Sequence, residues 1–544
     1  MKIIVVIPAR GGSKGIPRKN LNMMNGKPLI SYAIENAMKI SGDVDIAIST
    51  DDEEIERLAA RFPVTIIRRP SILSEDNVTL DPVVYHAVNE MEKHMNSQYD
   101  IVVTMQPTSP TLRCQSIHDA LLLMQEKNLD TVISAKNSPH LSWRKENGAF
   151  VPNYVQRLNR QQLPGYYVET GGFLITRRGF VTETSRIGKN ISVFEISEDE
   201  AIDIDTHKDW ILCEAILKKK RIVMRADGEE NLGMGHIYRC LMLAYKLIGH
   251  EVCFVCKQGY VLGIKKIEQS FMPLKVVNDD SEFYDFLSSY KPDILINDIL
   301  NTDKDYMLKV KSMVDRVVNF EDIGEGAQYA DVVVNALYEE DSIHNNVYNG
   351  LKYFCIRDEF LEEGPSEFSS KVNNILILFG GSDPSNLTMR MYEICKKIHK
   401  KYNQIKFNFV TGFGYKYKSE LKTDIENNIF VYHDVKRVSS YMKEADLAVT
   451  SQGRTIFELA CMGVPAIVMA QNTRETYHAF AQLKNGFINL GLGYELDEQT
   501  ILQTIDWMIN TPQVRKEMRN LLLTKEFQKG QERVLNLILG INDI

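Results

Sequence analysis

The stretch from Ile7 to Leu21, IPARGGSKGIPRKNL, follows the Val/Ile-rich run Lys2 to Ile7. Such a run makes a buried parallel strand, so the glycines directly behind it predict a strand, a tight turn and then a helix. Gly11, Gly12 and Gly15 let the backbone of that turn approach a ligand closely. Arg10, Lys14, Arg18 and Lys19 can face an anion from the same turn, and its backbone amides add donors. The string is neither G-x-x-x-x-G-K-[ST] nor G-x-G-x-x-G, so the mechanisms attached to those patterns do not transfer.

At 544 residues the chain exceeds what one core supports, and two or three domains are expected. The net charge of −8 argues against nucleic acid as a partner, while leaving room for local basic loops that hold one nucleotide. No apolar run approaches the roughly 20 residues of a membrane span. The first residues enter a strand directly, so a cytoplasmic protein is expected. Eight scattered cysteines fit free thiols, with Cys253 and Cys256 in the buried strand EVCFVC.

Along the first 220 residues, 29–38 have helical spacing and 45–50 read as a second strand ending at Asp51 and Asp52. Asp51 either joins a ligand site at the strand end or caps the helix expected over 53–62. Arg69-Pro70 follows another strand, and 81–92 make a helix. The strand 100–105 leads into QPTSPTLR, whose neutral donors and acceptors suit a polyhydroxylated ligand, with Gln106 the candidate contact. Gly171 and Gly172 in YVETGGFLIT are read as structural. In AIDIDTHKDW, Asp203 and Asp205 project to one face of an extended stretch, a pair suited to Mg²⁺, with Ile202 and Ile204 turned inward.

These strings, in this order, resemble the acylneuraminate cytidylyltransferases, which join a nonulosonic acid to CMP. The resemblance implies CTP and a nonulosonic acid as substrates and Asp203 and Asp205 as the Mg²⁺ ligands. It places Gly11, Gly12, Ser13, Asn20 and Arg69 on the nucleotide, with Asn20 reading cytosine. Arg10, Lys14 and Lys19 would stabilise charge as pyrophosphate leaves. Arg18 faces either ligand or solvent.

The charged break at 218–220 precedes a new strand, RIVMRAD, a second glycine-rich turn ending Gly235-His236, and an amphipathic helix over 237–247. From here GMGHIYR, ADVVVNALY, IRDEF, LFGGSDPSN, SQGRTIFELACMGVP and AQNTRET resemble the UDP-sugar hydrolase of pseudaminic acid biosynthesis and the spore-coat polysaccharide proteins. The implied fold is α/β throughout. A nucleotidyltransferase domain with a mostly parallel, Rossmann-like sheet (1–220) precedes two Rossmann-like lobes of glycosyltransferase-B type (221–363 and 364–544). Gly380, Gly381 and Ser382 would meet a diphosphate, as would the helix start at Thr455. Glu458 either accepts ribose hydroxyls or simply stabilises its helix start. His236, at the tip of its loop, is the candidate general base. Asp298 and Asn472 match residues beside the sugar. Where the hydrolases place a tyrosine, this chain reads Ile299-Leu300, which implies altered sugar contacts.

The expectation is a bifunctional enzyme using CTP, a nonulosonic acid and a UDP-sugar. Its alternatives in the second half are a UDP-sugar-binding module and a glycosyltransferase. A transient nonulosonic acid synthase partner is expected, because a condensation must separate the two reactions, and a homodimer is left open.

Overall fold

The computed structural model describes residues 1–12, 15–228, 234–338 and 344–541. The chain forms two compact units, Met1–Lys219 and Lys220–Ile544. Within the first, a seven-stranded sheet runs Ile191–Glu195, Thr131–Asn137, Tyr167–Arg177, Ile101–Met105, Lys2–Pro8, Asp43–Thr50, Thr65–Arg68 from edge to edge. Lys2–Pro8 lies parallel to both of its neighbours, while Tyr167–Arg177 is antiparallel to both of its own. Ile3 to Ile7 are buried on both faces, which is why this strand reads as an unbroken apolar run instead of an alternating one. Helices Leu29–Ala37 and Cys114–Glu126 bury their apolar residues in the core on one face, and Leu80–Met95 covers the other.

The second unit holds two lobes, each built on a wholly parallel sheet. The first is centred on Arg221–Ala226, Ile294–Asp298 and Arg316–Phe320. The second is centred on Asn374–Leu378, Leu447–Thr450 and Ala466–Ala470. Helix Asp358–Glu363 ends at Gly364, whose φ of 64° stops it, and the second lobe's sheet begins shortly after. The last helix, Gly530–Leu539, returns to the first lobe and packs Val534 and Ile538 among Ile222, Met224 and Ile237. A division of the chain at 363 gives no sign of this crossing.

Phe354, Phe457 and Phe480 stack in the second lobe with ring centroids 4.0 and 4.4 Å apart, all almost wholly buried. Phe457→Ala removes the middle ring and is expected to cost about 3–5 kcal/mol of stability in the second unit, read by denaturant unfolding.

Candidate functional site

In the first unit the loop after Lys2–Pro8 is held by its own neighbours. Gly11 donates its amide to Asp51 Oδ1 at 3.0 Å. Asp52, not Asp51, caps helix Glu53–Ala59 by accepting from the amides of Glu54 and Ile55. Both carboxylates therefore build the loop, and the helix cap is Asp52, not Asp51. A Cβ on Gly11 would lie 2.4 Å from Asp52 Oδ2, and one on Gly15 2.4 Å from the Asp205 carbonyl oxygen. Those two glycines make room for the protein itself, whereas a Cβ on Gly12 would meet open space. Gly11→Ala is expected to displace the Asp52 cap and lower the first unit's stability by about 1 kcal/mol, measured by denaturant unfolding.

Ser13 and Lys14 lie outside the described residues. Arg18 sits at φ 55° and pairs with Glu54 at 2.7 Å, so it faces the acidic first turn of the next helix. Arg10 pairs with Asp76 at 3.1 Å. Lys19 donates to the Ile204 carbonyl and lies 3.5 Å from Asp205 Oδ1, which joins the glycine loop to the acidic segment. Asn20 is buried, with Nδ2 on the Arg10 carbonyl and Oδ1 unpartnered. Arg69 is buried against Ser49, donating to its carbonyl at 2.8 Å and its hydroxyl at 3.2 Å. Burial lowers its pKa, opposed by Asp51.

Gln106, Gly171 and Asp203 converge. A Cβ on Gly171 would lie 2.8 Å from Asp203 Oδ2 and 3.2 Å from Gln106 Nε2, so this glycine lets the two side chains meet over the strand. Ile204 is fully buried while Asp205 is exposed, and the Ile204 amide donates to the Thr108 carbonyl at 2.9 Å. Burial pushes the Asp203 carboxyl above its usual range, the Thr108 hydroxyl counters this, and Asp205 adds to it. Asp203 Oδ1 is buried without a partner. A pair of neighbouring carboxylates with one orphaned oxygen fits Mg²⁺, which takes one or two carboxylates and completes its shell with water and phosphate. Among the described residues no group of three or more His, Cys, Asp or Glu side chains is placed to hold a metal.

The second unit has a cleft of about 690 Å³ lined by both lobes. His236 lies in the first turn of helix Gly235–Lys246, not at a loop tip. Its Nδ1 is 2.5 Å from Asp298 Oδ1. Arg239, one turn along the same helix face, donates to both Asp298 oxygens at 2.6 and 2.7 Å and to Glu321 Oε1 at 2.8 Å. Burial alone would raise the Asp298 pKa, but Arg239 and His236 hold it well below the carboxylate range. An ionised carboxylate only accepts, so Nδ1 of His236 carries a proton, and in the neutral ring Nε2 keeps its lone pair. Asp298 is 0% exposed. It cannot touch a sugar, and the expectation of substrate contact is corrected: Arg239 and His236 occupy both oxygens, making it a positioning residue.

Across the cleft, Gly380 at φ 77°, Gly381 and Ser382 follow strand Asn374–Leu378 and line the cavity. A Cβ on Gly381 would lie 3.0 Å from Met234 Cβ, and one on Gly235 3.1 Å from Arg454 Cδ, so the two glycine turns bring the lobes together. Thr455 opens helix Thr455–Met462. Arg454 lies over the Phe354 ring and donates to the Cys355 carbonyl, with Nη1 buried and unpartnered. Burial, with Arg239 nearby, lowers its pKa to about 10. Glu458 accepts from Arg357 at 2.9 and 3.1 Å through Oε1. Asn472 lines the cleft, with Oδ1 accepting from the Glu475 amide. Leu300, at φ 70°, lines it too.

Sequence reasoning missed Arg239, Glu321 and Glu475. The first was findable: an arginine three residues after His236 shares its helix face.

The chain is similar to several known proteins. CMP-N,N'-diacetyllegionaminic acid synthase of Legionella pneumophila is 31% identical over 233 residues, 40% of this chain and 97% of that protein. The pseudaminic acid cytidylyltransferase and UDP-2,4-diacetamido-2,4,6-trideoxy-beta-L-altropyranose hydrolase of Helicobacter pylori is 25% identical over 565 residues, 99% of this chain and 98% of that protein. An uncharacterized Methanocaldococcus jannaschii protein is 30% identical over 305 residues, 51% of this chain, and the match spans 62% of its length. Residues 375–534 match the Glycosyltransferase family 28 C-terminal domain. Residues 4–225 match the Cytidylyltransferase model, and through them the chain belongs to the cytidylyltransferase family.

Proposed function

We propose that the chain is a bifunctional enzyme of nonulosonic acid activation. In the first unit the anomeric hydroxyl of a nonulosonic acid attacks the α-phosphate of CTP, the bond to the β-phosphate breaks, and CMP-sugar and pyrophosphate form. Gly12 and the amides of its loop face the triphosphate, and Arg10, Lys14 and Lys19 offset its charge. Asn20 and Arg69 hold the nucleoside end, and Gln106 holds the sugar acid. Asp203 and Asp205 would hold Mg²⁺, which when bound supplies charge stabilisation to the phosphates. Cytoplasmic residence fits the eight free cysteines.

In the second unit His236 Nε2 takes a proton from water, the water oxygen attacks the anomeric carbon of a UDP-sugar, and the bond to the diphosphate breaks, releasing UDP. The observation that carries this reading is the buried Asp298–His236 contact, which fixes the imidazole as a base at the cleft wall. Gly380, Gly381, Ser382 and Thr455, with Arg454, receive the diphosphate, Glu458 the ribose and Asn472 the sugar. UDP release from a diacetamido-trideoxy UDP-sugar in the absence of any acceptor tests it. Release only with an acceptor sugar would make the second unit a glycosyltransferase, and binding without release would make it a binding module. Condensation of the freed sugar with a three-carbon unit must fall to a separate synthase, and weak association with that enzyme is expected.

A further inference from the structure

Glu475 lines the cleft but has no part in the chemistry above. Its Oε2 accepts from the amides of Gln471 at 2.8 Å and Gln452 at 3.2 Å, which follow the ends of two adjacent strands. A Cβ on Gly453 would lie 3.6 Å from Ser451 Oγ and 3.5 Å from Glu475 Oε1. Gly453 leads straight into Arg454 and the helix start at Thr455, so this oxygen faces the backbone assigned to the diphosphate.

Among the described residues no cation pairs with Glu475. Of the charged groups beside it, Arg474 is spent on Asn301 and the Glu321 carbonyl, and His478 Nδ1 on the Gln452 carbonyl. Asp383, from the turn before helix Leu387–His399, opposes its ionisation. Burial, partly countered by the two amides, raises its pKa to about 7. The remaining charged groups on the cleft walls include Arg454, His236, Arg357, Glu458 and Asp434.

We propose that Glu475 is a specificity-determining residue that binds as the neutral acid, donating the Oε1 proton to an oxygen on the sugar-diphosphate part of the bound nucleotide sugar. The proposal rests on the UDP-sugar reading of this cleft. With Oε2 fixed as an acceptor by two amides, the proton has only Oε1 to occupy, and a neutral donor there avoids the repulsion a carboxylate would impose on a diphosphate.

The test is calorimetric binding of UDP, and of UDP-N-acetylglucosamine, whose diphosphate has no titrating terminal group, to the full chain between pH 6 and 8. Parallel titrations use Glu475→Gln and Glu475→Ala. A glutamine keeps both roles, with its oxygen on the amides and its NH₂ toward the ligand. One proton lost around pH 7 weakens parental binding about tenfold from pH 6 to 8 relative to Glu475→Gln. Glu475→Gln should match the parent at pH 6 and exceed it at pH 8, and Glu475→Ala should be weak at both. The remaining ionisable groups are common to all three proteins and cancel in the ratios. A constant ratio of parent to Glu475→Gln, or a glutamine variant that binds like alanine, overturns the proposal and leaves the UDP-sugar reading standing. No binding of either nucleotide to the parent at any pH overturns both. Thermal unfolding of each variant confirms that it is folded.

Discussion

His236→Ala is expected to lower UDP release by a factor on the order of 10² to 10⁴, the range a general base contributes, while pyrophosphate release from CTP continues at the parental rate. The separation follows from the chain's division into two compact units, each with its own site. Asp298→Asn should approach the same loss with the imidazole still present. An amide can donate to Nδ1 where the carboxylate only accepts, and the tautomer that leaves Nε2 as the base is no longer enforced. The same change strips Arg239 of its main partner, so the second unit should also lose stability, since breaking a buried pair leaves a charge uncompensated. A pH–rate profile separates the two effects: a merely destabilised protein keeps the parental profile, whereas a mis-set imidazole changes its shape. UDP release by His236→Ala at the parental rate would remove histidine from the chemistry.

Asp203→Asn is expected to reduce CMP-sugar formation roughly 10³-fold, several kcal/mol of lost charge stabilisation at the phosphates. Two readouts accompany the rate. The Mg²⁺ concentration for half-maximal pyrophosphate release should rise, and tight binding of Mg²⁺ with CTP, followed by calorimetry, should be lost. Asp205→Asn should do the same with a smaller effect, because its exposed carboxylate is stabilised by water where that of Asp203 is not. Parental Mg²⁺ dependence in Asp203→Asn would mean that this carboxyl holds no metal.

The fold was largely legible because periodicity speaks directly to it. The unbroken Val/Ile run of Lys2–Pro8 and the glycine turn behind it announce a parallel α/β sheet. The break near Lys219 shows where one core stops and another starts. Gln106 and Asp203, read from two separate strings, come together in the fold beside Gly171. The site is hidden where a neighbour from another segment competes for the same group. Asp298 matches a residue beside the sugar, yet a strand-end aspartate facing a helix that carries both His236 and Arg239 is consumed by them. The string also does not show that Asp52 and the Asp205 carbonyl crowd Gly11 and Gly15, because these contacts come from other segments. Glu475 could not be singled out, because its environment is made by the amides of Gln452 and Gln471, 23 and 4 residues away. The return of helix Gly530–Leu539 to the first lobe was hidden for a related reason: amphipathic spacing tells which face is buried, not against which sheet.

Whether the first unit activates a nonulosonic acid is read by incubating the intact chain with CTP, Mg²⁺ and, in turn, pseudaminic, legionaminic and N-acetylneuraminic acids, and quantifying CMP-sugar against pyrophosphate. At least one acid should yield CMP-sugar and pyrophosphate in equal amounts, with the yield lost in Asp203→Asn and kept in His236→Ala. Failure of every acid to yield CMP-sugar with folded protein, or an equal yield from Asp203→Asn, would contradict it.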